Sequence, residues 1–192
     1  MAALDLLREE SLMVETKNVF VALGSNLGNS VHTLLKAWDL LGEHDGITLT
    51  ALSPPFLTAP VDMTSQNWFT NSVGCFSTRY SPLALLDILL ETEAVLGRAR
   101  DHGTAGYQDR TVDLDLLYFG SVILDNPRLI LPHPHRDKRL FVLAPMAVVA
   151  PEFIDPIHLQ TIAAIHHQLL EKIRNNQTDN QEIKVSSWPE ET

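Results

Sequence analysis

The sharpest chemical signal in the chain is a pair of aspartates, Asp113 and Asp115, two residues apart in the segment RTVDLDLLYFG at 110–120. The apolar residues around them alternate as in a β-strand, where positions two apart share a face. Val112, Leu114 and Leu116 are therefore expected toward the core. The two carboxylates stand together on the other side, with backbones about 6–7 Å apart. Carboxylates that close repel unless a cation or a proton sits between them, and Asp is depleted in strands. A pair of hard oxygen donors suits Mg²⁺, which keeps waters and takes its other ligands from substrate phosphates. Arg98, Arg100 and Arg110 lie just upstream, and guanidinium groups bind phosphate oxygens two at a time. Carboxylates for metal beside arginines for phosphate are the parts of a phosphoryl-transfer site. The competing reading is a half-exposed strand with solvated charges.

No familiar phosphate loop accompanies this pair. Gly24-Ser25-Asn26-Leu27-Gly28-Asn29 follows a strand pattern and opens a helix, so its N–H groups could meet an anion. It lacks the Lys-Ser/Thr ending of a Walker A loop and does not match GxGxxG. A tight turn needing two glycines explains it equally well. The protein kinase signature set is absent.

Composition narrows the class. The 192 residues suffice for one domain with a sizeable core, and 45% hydrophobic with 20% charged residues fits a globular protein. A net charge of -10 argues against nucleic acid as a partner. Half of the 14 Lys and Arg residues nevertheless cluster as Arg98, Arg100, Arg110, Arg128, Arg136, Lys138 and Arg139. Cys75 is the only cysteine, which excludes an intrachain disulfide. No apolar run approaches membrane-spanning length, and the acidic N-terminus does not read as a targeting peptide. A cytoplasmic monomer acting on small molecules is expected.

Positioning the aspartates requires a sheet. Residues 1–17 read as an extension and 18–174 as one domain, while the polar stretch 175–192 reads as a disordered tail. Within the domain, Asn18–Leu23 reads as a buried strand, and Val31 to Leu41 carries apolar residues at helical spacing. Ile47–Leu52 alternates as a strand, and Pro54, Pro55 and Pro60 point to an irregular loop after it. A third strand is expected over Asn71–Ser77. Ser81-Pro82 marks the start of a helix that stops at Gly97. The Asp strand follows, turning at Gly120-Ser121 into a short strand at Val122–Leu124. Helices are expected over Leu140–Val149, interrupted by Pro145, and near Leu159–Ile173. Strand-helix-strand-strand-helix-strand is the ferredoxin-like order, an α+β antiparallel sheet carrying helices, here with an extra hairpin strand and C-terminal helices. That fold decides no function by itself.

The ordered matches from Val19 to Pro156 carry a resemblance. They comprise ALGSNLGN, FLTAPV, the NSV strand, ETEAVLGRAR, RTVDLDLLYFG, LILPHP and RLFVLAP. Together they resemble the 6-hydroxymethyl-7,8-dihydropterin pyrophosphokinases of folate biosynthesis. The resemblance implies a ferredoxin-like fold and transfer of pyrophosphate from ATP to the pterin hydroxymethyl group, releasing AMP. It implies two Mg²⁺ ions on Asp113 and Asp115, with Arg98 and Arg110 sharing the catalytic work. Nucleotide contacts are implied at Glu93, Arg98, Arg100, Tyr107, Arg110, Leu116, Arg128, Ile130, His133 and Arg139. Pterin contacts are implied at Thr58, Ala59, Pro60, Val61, Asp113 and Asn71, with Phe69 and Phe141 stacking on the ring.

Three departures from the family pattern stand out. Tyr107-Gln108-Asp109 replaces a usual Trp-Gly-Pro, Ala59-Pro60 replaces a double proline, and Pro134 replaces an aromatic. Residues 53–66 and 101–110 are the candidate lids. Read alone, Phe69 and Phe141 fit core positions, Asn71 fits a hydrogen bond within the sheet, and His133 with His135 lacks a third metal ligand. Two other classes fit parts of the pattern: a DxD nucleotide-sugar transferase, and a non-catalytic ferredoxin-like binding module.

Overall fold

The computed structural model describes residues 17–60, 67–98 and 109–189. Its framework is an antiparallel sheet with β1 (Lys17–Ser25) and β4 (Phe69–Thr78) at the centre. β5 (Asp113–Phe119) pairs with β1 and forms one edge. Both central strands are almost continuously buried, as strands covered on two faces must be. On the far side of β4, β2 (Ile47–Leu52) pairs with its second half and β3 (Phe56–Thr58) with its first. Ser53-Pro54-Pro55 separates these two strands, because proline cannot donate to the ladder. The irregular loop expected after Leu52 is thus interrupted by a three-residue strand that keeps the prolines outside its pairing.

Two helices cover one face, in the ferredoxin-like arrangement. α1 (Ser30–Gly42) starts where the Asn29 side chain accepts the His32 N–H, after Gly28 turns the chain at φ 65°. α2 (Pro82–Val95) starts at Ser81, whose hydroxyl accepts the Ala84 N–H, with proline in the first turn. Leu34, Leu41, Leu85 and Leu89 from these helices pack on Val19, Val21, Leu23, Phe76, Leu114 and Leu116. Gly74 has no side chain in the way of the Trp38 ring, which a Cβ would meet at 2.2 Å.

The opposite face is covered by α3 (Leu140–Val149) and α4 (Ile162–Arg174). α3 runs through Pro145 rather than breaking there. Its core-facing Leu140, Val142, Leu143 and Met146 are buried, and that packing outweighs the helix bond lost at the proline. A register shift in the β1–β5 ladder, opposite Phe20 and Val21, interrupts the simple alternation of β5. Tyr118 thereby packs with Phe20 and Phe153 on the α3–α4 side.

One expectation needs correction. The short strand after Gly120 lies at β6 (Leu124–Asn126), not Val122–Leu124, and pairs with β7 (Leu129–Leu131) as a separate hairpin. Val122 is taken by a turn, its N–H bonding the Phe119 carbonyl. The stretch read as a polar tail contains a short strand. β8 (Ile183–Val185) pairs with β3 and becomes the other sheet edge. The unpaired edge of β3 and a place for the Trp188 ring beside the core under α1 and α2 supply what composition hides. No described helix is long and apolar enough to cross a membrane.

Candidate active site

Asp113 and Asp115 open onto a cavity of about 440 Å³ beside the β5 edge. Glu93, Arg98, Arg110, Arg128, His133, His135 and Arg139 line it with them, and Leu86 and Leu90 of α2 form an apolar wall. Both Arg98 and Arg110 donate to the Asp113 carboxylate. Arg98 also donates to Glu93 at 2.5 Å. Glu93 is 2% exposed and accepts the Leu114 backbone N–H at 2.8 Å, between the two aspartates. Glu93 therefore fixes β5 against the end of α2 and sets Arg98 over Asp113.

Asp115 has a different balance. Burial first, and then the negative charge of Asp113, raise its pKa to about 7, against the opposing pull of Arg139 and Arg110. Burial is the larger cause, so Asp115 holds a negative charge poorly unless a cation comes close to it. Two carboxylates and an open, polar cavity are a donor set that fits Mg²⁺, which needs few protein ligands when phosphate oxygens and water complete its octahedron. Among the described residues no cluster of three or more His, Cys, Asp or Glu could hold a metal by itself.

His133 is held neutral. Burial, then the charge of Arg139, lower its pKa to about 4. Its Nδ1 accepts the His135 N–H at 3.2 Å, so Nε2 carries the proton and is a hydrogen-bond donor at neutral pH. Its backbone is fixed on both sides, with its N–H on the Leu117 carbonyl at 2.9 Å and its carbonyl accepting from Arg136 at 3.3 Å.

The residues implied for the pterin surround the start of β4. Asn71 is buried and donates to the Thr58 hydroxyl at 2.8 Å. Gly24 pairs with Asn71 on one side and Asp113 on the other, so one row across three strands joins the amide to the carboxylate. A Cβ on Gly24 would lie 3.0 Å from Asn71 Oδ1, which gives that glycine a steric reason. The guanidinium of Arg110 lies over the Phe69 ring at 5.8 Å, and that of Arg139 over Phe141 at 5.5 Å. Each aromatic implied for stacking is thus half-buried and capped by a cavity arginine. Ala59 and Pro60 follow β3 and are also half-buried.

Three assignments sit elsewhere or differently. Leu116 is 3% exposed inside the apolar cluster under α1 and α2, so its side chain is core and does not reach the cavity. Ile130 is exposed on the β6–β7 hairpin and does not line the cavity. Arg128 does line it, but its guanidinium pairs with Asp87 of α2; both side chains are well exposed, so this pair exchanges partners at little cost. Val61, Arg100 and Tyr107 lie outside the described residues, as do residues 1–16 of the extension, 61–66 of the first candidate lid and 101–108 of the second. The basic cluster also divides. Arg136 turns away from the cavity and is buried against Asp155.

Several site residues escaped the sequence reading. Asn26 donates to Asp109 Oδ1 at 2.6 Å and accepts the Arg110 N–H at 2.8 Å, while its own N–H meets the Arg110 carbonyl at 3.2 Å. Asn67 donates to Asp109 Oδ2 at 2.9 Å. The Gly24–Asn29 turn therefore acts through an asparagine side chain that clamps the segment carrying Arg110. The available signal was Asn26 itself, an amide able to donate and accept at once. His135, read as a loop residue, belongs to the cavity wall.

A family model described as 7,8-dihydro-6-hydroxymethylpterin-pyrophosphokinase (HPPK) matches residues 20–151. A Pseudomonas aeruginosa protein named 2-amino-4-hydroxy-6-hydroxymethyldihydropteridine pyrophosphokinase is 40% identical over 136 residues, covering 71% of this chain and 82% of that protein. A Bacillus subtilis protein of the same name is 37% identical over 133 residues, covering 69% and 78%. Among solved structures, a Plasmodium falciparum HPPK-DHPS triple mutant with SDX-DHP superposes with a TM-score of 0.70 at 14% identity. That likeness supports the fold, and the match covers 91% of this chain and 48% of the longer one. The extent of the family match, with relatives this similar over most of their length, means that the chain belongs to the 7,8-dihydro-6-hydroxymethylpterin-pyrophosphokinase family.

Proposed function

We infer that the chain transfers pyrophosphate to the hydroxymethyl group of 6-hydroxymethyl-7,8-dihydropterin in folate biosynthesis, with ATP as donor and Mg²⁺ bound at Asp113 and Asp115. One observation carries this reading: two neighbouring carboxylates, one of them with its pKa raised by burial to about 7, share a single cavity with Arg98, Arg110, Arg139 and His133. The alcohol oxygen forms a bond to the β-phosphorus, the bond from that phosphorus to the α-phosphate oxygen breaks, and AMP leaves. The alcohol proton goes to solvent. Asp113 and Asp115 would hold Mg²⁺, which would supply positive charge against the repulsion between phosphate oxygens.

The chain's own residues do the positioning. Arg98 and Arg110 neutralise Asp113 in the ligand-free molecule. In the substrate complex they release that carboxylate and turn to phosphate oxygens, so binding exchanges ion-pair partners in a cavity already charged for the purpose. His133 offers an Nε2–H to the triphosphate without adding a titrating charge. Asn71, fixed by Thr58, reads the pterin edge, and the Gly24 row brings the acceptor side of the ring toward Asp113. No covalent intermediate is required, and orientation with charge stabilisation carries the rate.

The direct test is incubation of the protein with ATP, Mg²⁺ and the hydroxymethyl-dihydropterin, with nucleotide products separated. AMP in one-to-one yield with the pterin diphosphate is expected, and its loss on chelation of the metal. ADP as product, or turnover indifferent to a chelator, would overturn the assignment.

A further inference from the structure

The residues that follow the family match contain a segment that touches both halves of the site. From Gln181 to Trp188 the chain crosses from the start of α3 to the far sheet edge. β8 pairs with β3 in the register Phe56↔Val185, Leu57↔Lys184 and Thr58↔Ile183. Flanking bonds extend the ladder: Ala59 N–H to the Glu182 carbonyl at 3.3 Å, and Ser186 N–H to the Pro55 carbonyl at 2.8 Å. Beyond it, the Trp188 indole N–H donates to the Ser53 carbonyl at 3.0 Å. The strand that presents Thr58 to Asn71 is therefore held on one side by β4 and on the other by this segment.

Gln181 makes the other connection. Its amide oxygen accepts the Leu140 N–H at 2.7 Å, and its amide nitrogen donates to the Lys138 carbonyl at 2.9 Å. These two backbone groups flank Arg139. Arg139 is the N-cap residue of α3 and makes no side-chain cap bond of its own. A helix N-terminus left with free N–H groups frays. The Gln181 amide takes the role of the missing cap and fixes the backbone from which Arg139 enters the cavity and Phe141 follows one residue later.

We propose that Gln181 is a positioning residue, and that it and β8 form a strap that couples the Thr58–Asn71 side of the site to the Arg139–Phe141 side. The proposal rests on the reading of those two sides as pterin and nucleotide contacts. A strap bonded to both sides has a thermodynamic consequence. Whatever ligand orders both sides also orders the strap, and loosening the strap weakens the ligand by the same factor. A segment that served stability alone would lower the melting temperature and leave ligand affinities where they were.

The test combines one substitution series with one measurement on the unaltered chain. Gln181→Ala is expected to raise the KM for pterin by about 5-fold or more. Gln181→Glu keeps an acceptor for the Leu140 N–H at a helix N-terminus, where a carboxylate is favourable, and is expected to recover part of the loss. In the unaltered chain, pterin with a non-hydrolysable ATP analogue is expected to slow hydrogen exchange of the 181–188 peptide. A chain ended at Asn180 should show the larger KM effect. If it fails to fold, the Gln181 pair and the exchange measurement still decide. Wild-type KM values in Gln181→Ala, or exchange at 181–188 that ignores the ligands, would overturn the strap. Absence of AMP formation by the unaltered chain would instead overturn the functional reading beneath it.

Discussion

Strand β5 touches two clusters of carboxylate and guanidinium, one near each end, and they behave in opposite ways. At its far end, Asp155 is fully buried and saturated. It accepts from the Tyr118 hydroxyl at 2.8 Å, from Arg136 at 2.6 and 3.0 Å, and from the Ile157 and His158 N–H groups at 2.8 Å each. Burial pushes its pKa up, but the bonds from Arg136, the His158 N–H, Tyr118 and the Ile157 N–H outweigh that and bring it to about 2. At the near end, Asp113 has its arginines, while burial and then the charge of Asp113 raise the pKa of Asp115 to about 7 against the pull of Arg139 and Arg110. The residue types are the same. A carboxylate whose lone pairs are all occupied from within the fold holds the fold together, whereas one buried at a cavity wall beside a like charge is poised to take up a cation or a proton. The structural cluster also serves the other, since Arg136 bonds the carbonyl of His133.

The contrast breaks most sharply under substitution at the near end. Asp113→Ala or Asp115→Ala is expected to lower kcat on the order of 10³-fold while the thermal midpoint stays within a few degrees of the unaltered chain. Turnover assays paired with calorimetry would check it, and a large loss of stability with surviving activity would reverse the two roles. At the far end the expectation inverts. Asp155→Ala leaves Arg136 buried without its partner and should cost about 3–5 kcal/mol of stability, read from the denaturant midpoint. The activity of the folded fraction, assayed at low temperature, should remain far above that of the Asp113 variant.

A smaller effect sharpens the comparison through pH. The depressed Asp155 contributes stability that is fully present above its unfolded pKa near 4 and lost as pH falls through about 2. Asp115 has the opposite sign. Its raised pKa means that the folded, metal-free chain binds the proton more tightly, so stability declines as pH rises from about 4 through about 7. Melting curves in a chelator should show both limbs. Asp155→Asn should remove the acid limb and Asp115→Asn the neutral one, and added Mg²⁺ should offset the neutral decline only when Asp115 is present.

The ferredoxin-like order was legible because each element carried its own local signal: alternation in Ile47–Leu52, the Ser81-Pro82 start of α2, the buried run of β1. The Asp pair was legible for a similar reason, since strand period alone puts positions 113 and 115 side by side. The side chain of Leu116 is core because the alternation that turns Asp115 toward the cavity buries its neighbour, and family likeness assigns a contact without saying whether backbone or side chain makes it. The strand within the proline-rich loop and the pairing of 183–185 gave no local signal. Three-residue strands depend on a partner edge: β3 finds one in β4 nearby, whereas β8 finds its edge in β3, more than a hundred positions away.

What the sequence determined by itself, then, was the set of short-range relations: which residues share a strand face, where helices begin, and which acidic and basic groups are available for phosphate chemistry. The tertiary structure alone decided how those groups are shared out. It sent Arg136 to Asp155 and Arg98 to Asp113, made Asn26 the clamp on Arg110, and turned a polar tail into a strap. The physical reason is that hydrogen bonds and charge balance depend on distance in space, and separations such as the 135 positions between Ser53 and Trp188 are closed only when the chain folds.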